Sequence, residues 1–141
     1  SAGLGVVTGN WNIAIGRNTG FDLTSGQKNI IIGDNAGFNL TDADSNIAIG
    51  RSALFTSVGG TIGGNIAIGK YAMKSGDVSG DNNTALGTSA LKDLTSGTEN
   101  IAIGTTAASN LTTGKRNITI SSETGRELAK RSCKRRSRIS L

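Results

Sequence analysis

The chain has 141 residues, with 21 glycines, no proline, no histidine, one cysteine and only five aromatic side chains, which excludes imidazole bases, Ser-His and Cys-His nucleophiles and His-ligated metals. An apolar content of 35% with so few aromatics is thin for an ordinary compact core, and Cys133 has no second cysteine for a disulfide or CxxC site, so no cofactor and no metal is expected. The net charge of +5 is unevenly spread: residues 1–114 hold six Lys/Arg against eight Asp/Glu, and residues 115–141 hold nine against two.

In chain order, the start SAGLGVVTGNW lacks signal-peptide architecture, and no stretch reaches the roughly 20 apolar residues of a membrane helix, so no membrane insertion is expected. Val6-Val7-Thr8-Gly9 reads as the end of a preceding coil, which makes residues 1–11 the tail of a longer array. Then the string NIAIG begins at Asn12, Asn46, Asn65 and Asn100, with the variants NIIIG at Asn29, NTALG at Asn83 and NITIS at Asn117. The successive intervals are 17, 17, 19, 18, 17 and 17 residues. Such a period predicts a repeat architecture over residues 12–128, in which each unit is one coil stacked on the next.

Each unit opens on an alternating apolar triplet that predicts a short strand, with Ile13 and Ile15 on one face and Ala14 on the other. One strand per turn, stacked in parallel at about 4.8 Å, gives an all-β parallel solenoid or β-roll of seven coils and a rod roughly 33 Å long. The glycines at 16, 33, 50, 69, 87 and 104 follow the strands at sharp corners, where positive φ is expected. Beyond each corner come a small residue (Thr19, Ala36, Ala53, Ala72, Ala90, Ala107) and, four later in most coils, Leu23, Leu40, Leu94, Leu111 or Leu128. That spacing fits a short helical turn with both side chains inward, or a second short strand.

The alternate strand face carries Ala14, Ile31, Ala48, Ala67, Ala85 and Ala102, apolar where an exposed face should be polar. Ala14, Ala48, Ala67, Ala85 and Ala102 are therefore expected at an interface between identical chains, most simply in a homotrimer. The competing reading is that alanine marks the tight interior of a self-sufficient monomeric solenoid.

These units resemble known repeats. AIG followed by two residues and Ala or Ser is similar to the head of YadA-like trimeric autotransporter adhesins. The longer-spaced NTALGTSALKDLTSG of Asn83 to Gly97 resembles repeats of bacteriophage tail fibres and other trimeric surface fibres. The resemblance covers residues 4–128 and implies a trimeric β-roll, an extracellular setting on a virion tail fibre or a bacterial cell surface, and a role in host attachment or cell adhesion. Two departures stand beside it: the period is longer than in the adhesin head, and no coiled-coil stalk, membrane anchor or self-cleaving chaperone motif follows.

The expected function is a non-enzymatic structural or adhesive fibre segment that presents or spaces a receptor-binding surface, with a glycan as the simplest receptor and a neighbouring fibre module as a further partner. The irregular spacers at 56–64 and 74–82 are the places for a unique recognition surface, with Tyr71, Thr56, Ser57, Thr61 and Asp77 as candidate contacts. Three alternatives carry their own signatures. A glycan depolymerase would need paired carboxylates about 5 Å apart in a groove, whereas Asp34, Asp42, Asp44, Asp77, Asp81 and Asp93 fall in turns. An ice-binding solenoid would need a free Thr row, for which Thr24, Thr41, Thr95 and Thr112 are candidates. A ligand-binding Asn ladder competes with amides that simply satisfy turn backbones. Phe21, Phe38 and Phe55 share one register, as a buried stack or a sugar-stacking face. The basic tail 129–141 has neither aromatic nor motif, so it is read as a junction rather than a nucleic-acid site.

Overall fold

A computed structural model describes residues 8–55, 62–75, 78–120 and 122. Seven three-residue strands, β1 (Ile13–Ile15), β2 (Ile30–Ile32), β3 (Ile47–Ile49), β4 (Ile66–Ile68), β5 (Thr84–Leu86), β6 (Ile101–Ile103) and β7 (Ile118–Ile120), pair in parallel and in chain order into one sheet. Every strand lies with equivalent residues opposite one another, as where Ala48 faces Ala67 and Ala67 faces Ala85. The fold is a β-solenoid with one strand per turn, as the period requires. Thr56, Ser57, Thr61 and Asp77, the end of the seventh unit from residue 123 and the tail 129–141 lie outside the described residues.

Register is held by a column of buried asparagines. Asn65 Oδ1 accepts from the backbone N–H of Asn83 at 2.9 Å and from its Nδ2 at 3.1 Å, while Asn65 Nδ2 donates to the Gly80 carbonyl at 3.0 Å. The backbone N–H to Oδ1 bond recurs at each interval from Asn12 to Asn117, and the side-chain amides of Asn12 to Asn100 each donate to a carbonyl in the next coil's turn. The Asn column is therefore internal scaffolding with its amides committed.

At the corner after each strand, Gly50 shows why only glycine serves. Its φ is 126°, and a Cβ there would meet the Gly69 carbonyl oxygen at 2.7 Å. The segment beyond is neither a helical turn nor a second strand. The second and fourth residues after each corner are left-handed, for example Ser52 (φ 52°) with Leu54 (φ 48°) and Ser89 (φ 57°) with Leu91 (φ 48°). A right-handed helix cannot contain two such residues in three. Stacking replaces the helix's own hydrogen bonds: Leu54 N–H donates to the Ala72 carbonyl and Met73 N–H to that of Ala90. The expected inward pair does hold, because Ala36 and Leu40, like Ala107 and Leu111, are buried.

The alanine stripe is where the structure overturns the expected interface. Ala48, Ala67, Ala85 and Ala102 are 0% exposed within a single chain, and Ala14 is partly covered at the first strand. The four buried alanines point into the coil, where a small side chain leaves room for the inward leucines, and they leave no surface for a second chain to touch. A charge there would break the coil itself.

The interior also adjusts its volume from coil to coil. Where the strand contributes Ala48, Ala67 or Ala85, the fourth residue after the corner is Leu54, Met73 or Leu91; where it contributes Ile31, the neighbouring fourth residues are Gly20 and Gly37. A Cβ on Gly37 would stand 2.9 Å from Ile31 Cγ2 and 2.7 Å from Leu40 Cδ1. Ile31 thus fills the space that a larger turn residue fills in the coils of Ala48, Ala67 and Ala85. In β7 the inward alanine is replaced by Thr119, whose Oγ1 is buried without a hydrogen-bond partner.

Candidate functional site

Strand alternation sends the neighbours of the buried alanines outward. The outer sheet face is two columns of Ile, with Thr84 and Leu86 at β5, running over seven strands. Exposure is greatest in the two end strands, where Ile13 is 49% exposed, Ile15 58%, and Ile118 and Ile120 69% each; in the inner strands Ile68, Ile101 and Ile103 are 37–38% exposed and the other isoleucines are partly covered. Six inter-strand steps of about 4.8 Å make the stripe about 29 Å long. Large β-branched side chains repeated this way suit a covered sheet, and a continuous apolar stripe of this length marks an interaction surface.

A second feature breaks the repeat. Tyr71 occupies the left-handed turn position taken by Asn18, Asn35, Ser52, Ser89 and Thr106 in other coils, with φ at 61°. Its half-buried ring is surrounded by cations: Lys74 Nζ lies 4.6 Å from the ring centroid, Lys70 Nζ 4.9 Å and Arg51 Cζ 5.9 Å. Arg51 and Lys70 are the residues directly after corner glycines 50 and 69, stacked in the column that begins Arg17, Asp34. Arg17 grips Asp34 through Nε–Oδ1 at 2.8 Å and Nη2–Oδ2 at 3.1 Å, and Arg51 Nε stands 4.0 Å from Oδ2. The Arg17 hydrogen bond, aided by the charge of both arginines, holds the Asp34 carboxyl below its usual range. Glu99 is held low in the same way by Arg116, 2.7 Å from its carboxylate.

The remaining candidates are occupied by the fold. The Thr24 and Thr95 hydroxyls donate to the Thr41 and Thr112 carbonyls, both at 3.1 Å, which ties those two side chains to coil stacking. The Asp44 and Asp81 carboxylates accept backbone N–H groups of the preceding coil, from Gln27 and Gly63. Among the described residues no three His, Cys, Asp or Glu side chains gather as a metal site would need, and no helix is long and apolar enough to cross a membrane. Phe21, Phe38 and Phe55 form a half-buried stack with centroids 4.8 and 5.2 Å apart. Lys74 succeeds Phe55 at the same offset from its corner glycine.

No protein-family model matches the chain, and no curated protein or solved structure matches it significantly. Two surfaces therefore carry the functional question: the isoleucine stripe and the cationic setting of Tyr71. Sequence reasoning picked out Tyr71, whose chain neighbour is Lys70, but missed Arg51 and Lys74. Counting offsets from the corner glycines of successive coils would have placed all four together.

Proposed function

We propose that the chain is a non-enzymatic structural segment of a homotrimeric fibre, in which copies lie side by side with parallel axes and bury their isoleucine stripes against one another. The observation that carries this is the outward Ile ladder. Leaving it in water forgoes about 25 cal/mol for each Å² of apolar surface that could be covered, over a stripe as long as the rod. Each strand presents two outward residues two positions apart, and a chain in a three-fold bundle has two neighbours, so one column faces each. The fibre so formed spaces or presents a receptor-binding surface. The resemblance of the repeats to those of trimeric surface fibres supplies the setting, outside the cell on a virion tail fibre or bacterial surface.

Light-scattering mass across a size-exclusion peak tests it. The wild-type chain is expected at three times its monomer mass. Ile68→Lys with Ile103→Lys is expected at one, with the strand signal in circular dichroism retained, because both side chains stand outside the coil. A monomeric wild-type chain would falsify the fibre reading.

A further inference from the structure

Residues 1–114 contain six basic side chains, and three of them surround one aromatic ring. We propose that Tyr71, Arg51, Lys70 and Lys74 form a binding site for an acidic saccharide, a sugar bearing a carboxylate or a sulfate. Three positive charges within about 6 Å of one centroid repel one another, and each gains only modestly from a half-buried ring. Among the described residues neither Lys70 nor Lys74 has an ion-pair partner, and the one carboxylate near Arg51, Asp34, is already held by Arg17. An incoming anion relieves that repulsion.

Tyr71 is also the one aromatic among the described residues at this left-handed turn position. A left-handed φ is accommodated by Asn far better than by a bulky aromatic, and the other coils place Asn, Ser or Thr at this position. Holding tyrosine there costs conformational energy that the packing of the coil does not require, since five other coils turn the same corner without it. The ring offers an apolar face for the C–H face of a pyranose and a phenolic hydroxyl, and the flexible lysines bring charge to an acidic substituent.

The patch is too short for a nucleic-acid track. Positions equivalent to Lys70, Tyr71 and Lys74 are Asp34, Asn35 and Phe38 two coils earlier and Thr88, Ser89 and Lys92 one coil later, so a phosphate backbone following the rod would meet Asp34 in one direction and, in the other, neutral Thr88 and Ser89 beside a Lys92 already paired with Asp93. One localised anionic group matches the charge better.

All four residues belong to one chain, so the site does not rest on the fibre reading. A monomer that binds keeps the site and removes the fibre, and a trimer that binds nothing does the reverse. The experiment is titration calorimetry of the full chain with sialyllactose (carboxylate), a heparin tetrasaccharide (sulfate), neutral lactose, and an oligothymidine matched in charge to the tetrasaccharide. At least one acidic saccharide is expected to bind and lactose is not. Tyr71→Asn should weaken that binding at least tenfold while Tm stays level or rises, because asparagine suits the left-handed turn. Lys70→Glu with Lys74→Glu should abolish binding with the strand signal intact. Silence from both acidic saccharides, full affinity in Tyr71→Asn, or oligothymidine bound as tightly as the saccharide would each overturn the assignment.

Discussion

Asn65 shows how much of this fold rests on single polar side chains. In a coil with so little apolar volume, directional bonds between layers fix which residue sits over which. The Asn65 amide accepts two bonds from Asn83 and donates one to Gly80, all out of water. Asn65→Ala removes the three and leaves the Asn83 backbone N–H and the Gly80 carbonyl buried, at about 1–3 kcal/mol for each unsatisfied group. A loss of about 2–4 kcal/mol is expected, read as a lower urea midpoint. Asn65→Asp should be at least as damaging, since a carboxylate keeps the acceptor but replaces the N–H group facing the Gly80 carbonyl with a repelling oxygen. A midpoint unchanged in both variants would remove the asparagine column from the account of register.

Within a coil, the unit of packing is the pair formed by the inward strand residue and the fourth residue after the corner. Ile31 with Gly37 and Ala48 with Leu54 are two solutions of the same volume problem. Gly37→Leu alone overpacks against Ile31 and Leu40, with an expected cost of about 1–3 kcal/mol. Ile31→Ala alone opens a cavity, at about 2–4 kcal/mol. The double variant rewrites coil two in the form of coil three, so its cost should fall at least 1 kcal/mol short of the sum of the two singles. Denaturant unfolding of the four proteins gives the cycle, and strict additivity would mean that the two positions do not share space. The Gly20 position, also beside Ile31, stays unfilled and keeps the rescue incomplete.

Across the whole molecule, each coil contacts only its neighbours, so stability is close to a sum over coils and interfaces. Removing residues 83–99, one full period, joins Asn82 to Asn100 and leaves every ladder in register. The shortened chain should fold cooperatively, with a Tm a few degrees lower and the same strand signal per residue. Removing 87–95, half a coil, should unfold the coils beyond the cut, because the Asn and Ala columns can no longer meet their partners. Equal stability of the two deletions would show that stacking register does not govern this rod.

The sequence by itself determined the repeat, the strand positions, the parallel register and the corner glycines, because a period near 17 leaves one way to place equivalent residues over one another. It also set which strand residues share a face, since alternation along a strand is geometric. It did not determine which face looks inward. Alanine and isoleucine are both apolar, and a hydropathy pattern gives them one sign. The tertiary structure decided it by size: a narrow coil already filled by Leu40, Leu54, Leu94 and Leu111 accepts Ala48 and Ala67 inside and sends Ile47, Ile49, Ile66 and Ile68 out. The helical turn failed for a related reason. Spacing of Ala and Leu four apart reports that both point to the core, and left-handed residues at the second and fourth positions satisfy that as well as a helix does, with hydrogen bonds supplied by the next coil. The cations around Tyr71 became neighbours only through stacking, since Arg51 and Tyr71 are twenty residues apart in the chain and adjacent layers in the solenoid.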